Sequence, residues 1–209
     1  MIKNEKRMMR RLLFKILLLF LGFVLISIAV LLAFYSNLGM SPWDVLHTGI
    51  VNHSSLSLGQ ASQIVGFCLI IVSIFLGIVP GIATIFNMIF IGFFIDMINK
   101  LGILNTPESI ILRILMLFCA IVIMGLGICV YLKSELGAGP RDGIMEGLII
   151  KLNKPLWVVR AFIELTVLIG GFFLGGLVGI GTVLWAVSVG YSIQFASKLV
   201  GYNPKEVNH

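Results

Sequence analysis

Apolar positions run almost unbroken through this chain and are interrupted at intervals by short polar segments. Continuous apolar runs cover about 12–34, 58–78, 82–98, 109–132, 156–175 and 180–197. A helix needs roughly 20 such residues to cross the ~30 Å hydrocarbon core of a bilayer. The runs lack the in–out alternation of barrel strands, so the pattern predicts transmembrane helices. Two shorter and more polar segments, 38–52 and 136–152, follow the first and the fourth run. The order is therefore long, short, long, long, and then the same again.

That recurrence is written in the residues as well. Leu38 to Ile50 reads LGMSPWDVLHTGI, and Leu136 to Leu148 reads LGAGPRDGIMEGL. At an offset of 98 residues, 36–105 matches 134–203 without a gap, with 19 of 70 positions identical. Gly81, Ile82 and Thr84 match Gly179, Ile180 and Thr182, and Lys100-Leu101 matches Lys198-Leu199. Apolar composition alone would align Leu with Ile, not Pro, Asp, Gly, Thr and Lys together. The expected fold is all-α: a polytopic transmembrane bundle of two tandem homologous repeats, 12–102 and 109–201, within one membrane domain, 1–209. Residues 1–11 form a basic N-terminal segment ahead of it.

The short segments read as helix starts. Ser41 can cap, Pro42 suits the first helical position, and Asp44 sits where a carboxylate faces the helix N-terminal dipole. Gly139, Pro140 and Asp142 fill the same places in the second copy. Each segment predicts a helix of roughly 11–13 residues, or about 16–20 Å, short of a comfortable crossing. If these helices dip in without crossing, each repeat crosses three times and the two copies are inverted. If they cross, the repeats are parallel, with four passes each. Counting Lys and Arg on either side does not separate the two. The inverted 3+3 arrangement is favoured because 36–60 contains no Lys or Arg, whereas 133–154 contains Lys133, Arg141, Lys151 and Lys154. Homologous segments facing opposite sides should differ in this way. The aligned pair Lys100 and Lys198 argues the other way.

Composition sharpens the class. The chain of 209 residues is 59% hydrophobic and 11% charged, far below the ~25% charged residues of soluble domains. Its net charge of +6 does not signal nucleic acid, because Lys3, Lys6, Arg7, Arg10, Arg11 and Lys15 crowd the N-terminus. That cluster predicts a cytoplasmic anchor beside anionic lipid, with the first apolar run as an uncleaved signal anchor. Both termini are expected on the cytoplasmic side. Cys68, Cys119 and Cys129 lie inside apolar runs as packing residues, without metal-binding spacing.

The string LGMSPWDVLHTGI followed by VPGIATIFNMIFIGFFID resembles the YczE/YyaS group of bacterial membrane proteins, within the broader YitT-like set. The resemblance covers nearly the whole chain, and SPWDVLH is its most specific part. It implies a multi-pass protein of the bacterial cytoplasmic membrane, of a kind often described as transporters or exporters.

Ionisable groups at membrane depth are costly, on the order of 2.5–3.5 kcal/mol on insertion scales, so each requires a reason. Glu164 lies mid-run and aligns with Gly66, so its charge belongs to one half only. It reads as a proton- or cation-coupling carboxylate, or as the i,i+4 partner of Arg160. Asp44 and Asp142 read as caps or as a cation or substrate site. Arg141 can pair with Asp142, meet an anionic substrate, or sit solvated at the interface. His47, one turn after Trp43, reads as a hydrogen-bonded packing residue or a ligand group. Glu146, one turn after Asp142, reads as a proton-handling group or part of an exposed face. Asn87 is deep enough to bond across helices, and Asp96 lies near a helix end. Gly49, Gly147, Gly81, Gly179, Thr84 and Thr182 recur as structural positions of the repeat, and Gly171, Gly175 and Gly179 have the small-x3-small spacing of close helix packing.

No HExxH, GxSxG or phosphate-loop pattern occurs. The sequence therefore predicts no enzyme, no metal and no cofactor. The expected function is transport or export of a small molecule, with the lipid bilayer and that substrate as partners and a homo-oligomer open. Broken helices in equivalent positions of two halves point to a midplane site whose helix N-termini favour an anionic group. The alternative is a non-transporting accessory protein that anchors or assists a cytoplasmic biosynthetic or signalling partner.

Overall fold

The computed structural model describes the backbone of residues 2–202 and the side chains of 7–202; the side chains of Lys3 and Lys6, and the C-terminus, lie outside that description. Eight helices follow one another: α1 (Ile2–Ser36), α2 (Pro42–Asn52), α3 (Leu58–Phe75), α4 (Ile82–Lys100), α5 (Ile110–Leu132), α6 (Pro140–Leu152), α7 (Leu156–Phe173) and α8 (Ile180–Val200). No strand occurs among the described residues. Six helices are long and apolar enough to cross a membrane, and the two that are not are α2 and α6.

The core lies between α1 and α5. Gly22 packs on Gly127 and Tyr131, Ile26 packs on Gly127, and Arg113 reaches Ser36. Rising numbers on one helix meet falling numbers on the other, so α1 and α5 are antiparallel. The absence of a side chain at Gly22 is required, because a Cβ would lie 2.6 Å from that of Tyr131. Helix α4 runs parallel to α1: Phe20 meets Phe86 and Phe90, Ser27 donates to the Ile91 carbonyl, and Tyr35 donates to Asn99. Helix α8 runs parallel to α5 through Ser192 to Ile121, Cys129 to Ile193 and Lys133 to Val200. The end that carries Ser36 and Arg113 thus also carries the α7–α8 turn. The opposite end carries Lys15, Glu135 and the α3–α4 turn.

The short helices pack across the chain. Val45 and Leu46 lie against Gly171, Gly49 lies against Leu174, and Asn52 donates to the Gly175 carbonyl, so α2 runs parallel to α7. Gly143 lies against Ser73 and Gly147 against Leu76, so α6 runs parallel to α3. Each short helix therefore starts in the interior and leaves at its own end, α2 towards the α7–α8 turn and α6 towards the α3–α4 turn. Their N-termini face inward from opposite ends.

The local backbone recurs at the 98-residue offset. Asn37 (φ 50) matches Glu135 (φ 55), and Gly39 (φ 116) matches Gly137 (φ 126). Ser36 and Ser134 are both fully buried, and their hydroxyls accept the amides of Leu38 and Leu136. The basic residues from Arg7 onward continue α1 as helix, and α3 and α7 end at Phe75 and Phe173, a few residues short of the apolar runs, because Gly77 (φ 89) and Gly175 (φ 67) reverse the chain there.

Candidate functional site at the centre of the bundle

Helix α2 begins with Ser41 as N-cap. Its Oγ accepts the Asp44 amide at 3.3 Å and donates to Asp44 Oδ2 at 2.5 Å. Asp44 and His47 are each 2% exposed. His47 Nδ1 lies 3.3 Å from Asp44 Oδ1, but the geometry makes no hydrogen bond and the nitrogen has no other partner. Thr48 donates to the Asp44 carbonyl and accepts the Leu177 amide, which ties α2 to the α7–α8 turn.

Helix α6 starts on Gly139, which has no side chain to cap with. Asp142 does that work alone: its Oδ2 accepts the Gly139 amide at 2.9 Å and the Tyr131 hydroxyl at 3.4 Å. Arg141 is half-buried, not solvated at an interface, and its guanidinium lies 4.9 Å from the centroid of the Trp43 ring. Such a contact contributes about 0.5–2 kcal/mol, more as water is excluded. Arg141 also lies within Coulombic reach of Asp44, Asp142, Tyr131 and Glu164. Residues 43 and 141 are equivalent at the 98-residue offset, so the two N-termini meet through one matching position on each.

The other sequence candidates fall into place around this centre. Glu164 pairs with Arg160 at 2.9 Å on one face of α7, with side-chain exposures of 31% and 46%. Asn87 lies beside Gly139 at the start of α6. Asp96 is half-buried near the end of α4. It accepts the Ser57 hydroxyl and the Gly59 amide, and so caps α3 from α4. Thr84 donates to the Ala138 carbonyl at 2.8 Å, and Thr182 accepts the Gly179 amide while Gly181 donates to the Leu38 carbonyl. Each pre-helix loop is thereby docked on the first turn of the other half's last helix. Glu146 is exposed and lines a cavity of about 210 Å³ with Ser73, Pro80, Thr84, Gly139 and Gly143. That volume is below the ~300 Å³ at which small-molecule pockets begin.

Sequence reasoning did not single out Trp43 or Tyr131 as site residues. For Trp43 a signal existed, because it aligns with Arg141. No group of three metal-ligating side chains occurs among the described residues.

Six apolar spans around a polar centre define a multi-pass helical membrane protein. Residues 13–198 match the family described as a family of unknown function, DUF6198, and the chain belongs to it. It is 36% identical over 169 residues to an uncharacterized protein of Haemophilus influenzae, covering 81% of this chain and 77% of that one. It is 35% identical over 179 residues to the uncharacterized membrane protein YczE of Bacillus subtilis, covering 85% and 82%. To the uncharacterized protein YyaS of the same organism it is 26% identical over 175 residues, covering 78% and 83%. No solved structure matches it.

Proposed function

We propose that this protein is an inverted-repeat transporter that moves a small anionic solute across the bacterial cytoplasmic membrane. The reading rests on one observation: two short helices enter from opposite ends and bring their N-termini together around Trp43 and Arg141. Discontinuous helices of this kind build the midplane sites of secondary transporters. The recurring φ values at the 98-residue offset support a duplication, and the antiparallel α1 and α5 support the inverted sense. The basic N-terminal residues favour a cytoplasmic N-terminus. Both helix N-termini already face a carboxylate of their own chain, so recognition of the solute falls to Arg141, stacked on Trp43. Planar donors of a guanidinium match a carboxylate or phosphate.

The test is reconstitution. Proteoliposomes loaded with a bacterial small-molecule extract are assayed by mass spectrometry for solutes that leave faster than from protein-free liposomes. At least one acidic metabolite is expected to do so, and Arg141→Gln is expected to slow it at least tenfold. The reading fails if no solute moves faster than in the control, or if Arg141→Gln is as active as the parent. Copurification of a stable cytoplasmic protein without any flux would instead favour an accessory role.

A further inference from the structure

His47 is the group at this centre that the transport reading leaves without a role. The equivalent position on α6 is Met145, so the repeat pattern itself does not call for a histidine here. Its buried Nδ1 lacks a partner, which costs about 1–3 kcal/mol for an ordinary polar atom. Asp44 Oδ1 is 3.3 Å away, while the other carboxylate oxygen is held by Ser41. The charged surroundings are few. Helix α6 carries Arg141 and Asp142, and α5 carries Tyr131, which bonds Asp142. Helix α7 carries the Arg160–Glu164 pair, and α3 contains no Asp, Glu, Lys, Arg or His. Of all these side chains, histidine is the one whose ordinary titration lies between about pH 5 and 8.

We propose that His47 and Asp44 form a proton-binding pair at the centre of the bundle, and that proton uptake frees Arg141 for the anionic solute. The coupling half of this inference rests on the transport reading; the proton site does not. The proton adds to a ring nitrogen lone pair, and no other bond forms or breaks. The imidazolium Nδ1–H then donates to Asp44 Oδ1, turning a misaligned contact into a charge-assisted hydrogen bond. The new imidazolium charge offsets the Asp44 carboxylate in the field that Arg141 feels, which leaves Arg141 with more attraction for an anionic solute. Loss of the proton to water reverses both changes.

The proton site is tested on the full chain in liposomes with His53→Asn and His209→Asn, which leave His47 as the one labelled histidine. Solid-state NMR of the 15N-labelled ring reads its charge directly. As the pH falls from about 8 towards 5, the imidazolium signal is expected to grow at the expense of the neutral ring. In Asp44→Asn the same conversion is expected to need about tenfold more protons, the equivalent of one pH unit. A ring that stays neutral throughout that range, or a titration unchanged in Asp44→Asn, overturns the proposal. The coupling is read separately, as flux in the reconstituted system that an imposed pH gradient accelerates in the parent and not in His47→Gln. Gradient-independent flux in the parent removes the coupling. A ring that titrates with Asp44 dependence in a protein that carries no solute removes the transport reading and leaves the proton site standing.

Discussion

A side chain at Gly39 would meet Thr182 on two atoms at 2.7 Å, in a backbone conformation (φ +116) that L-residues rarely adopt. Gly77 is as twisted (φ +89) but has nothing within 4 Å. Gly77→Ala should therefore lose only the conformational cost, about 1–2 kcal/mol, and Gly39→Ala should lose clearly more, because the loop must also leave α8. Thermal unfolding of the two variants in detergent compares them, and equal losses would mean that the 37–41 loop does not dock on α8 as described. The capping roles of Ser41, Asp44 and Asp142 were legible in the sequence because they are local: the Pro at the first helical position and the carboxylate two residues later fix them. The stacking of Arg141 on Trp43 was not, because an alignment of two copies says which positions are equivalent and not that they touch. The proximity of Tyr131 to Asp142 depends in the same way on how α5 passes the start of α6.

Between helices, the two halves differ in how their last pair packs. Helices α3 and α4 lie together over much of their length, whereas α7 and α8 make almost no contact beyond their turn. The sequence carries the reason. Gly59 and Gly92 allow close approach, Gly66 seats Met88, and Asp96 closes the end of the pair. At the 98-residue offset Trp157 replaces Gly59, Glu164 replaces Gly66 and Gln194 replaces Asp96. Only Gly190 keeps its identity, and it has nothing within 4 Å. Removing the cap by Asp96→Ala should weaken the α3 start by about 1–2 kcal/mol and speed hydrogen exchange of its first-turn amides. Unchanged exchange there would mean that Ser57 and Gln60 hold the turn without help. Gly190→Ala should be neutral or stabilising by up to about 1 kcal/mol in the same unfolding assay, since a helical Gly gains propensity and meets no neighbour. The six long helices were readable from hydropathy, but their partners were not. A helix apolar all round presents no face from which a neighbour can be inferred. The pairing of α2 with α7 and of α6 with α3 crosses between the halves and left no local mark.

For the whole molecule, the directions of the helices bear on which end of the bundle faces which side of the membrane. If α2 and α6 enter without crossing, the loops that follow them lie at opposite ends. Ser55 follows α2, Asn153 follows α6, both are exposed, and they are equivalent at the 98-residue offset. In a protein with Cys68, Cys119 and Cys129 replaced, Ser55→Cys is expected to react with an impermeant thiol reagent added to intact cells. Asn153→Cys is expected to react only after the membrane is opened. Two cysteines that behave alike would mean that the short helices cross and that the repeats are parallel. That outcome would reach beyond topology. Parallel crossing helices would not bring two N-termini towards each other, so the contact of Trp43 with Arg141, and with it the central site, would lose its basis. Opposite labelling would place the buried Asp44–His47 pair and the Arg141 guanidinium between two half-helices that open to different sides. A proton and an anion could then meet there from either side without a continuous pore.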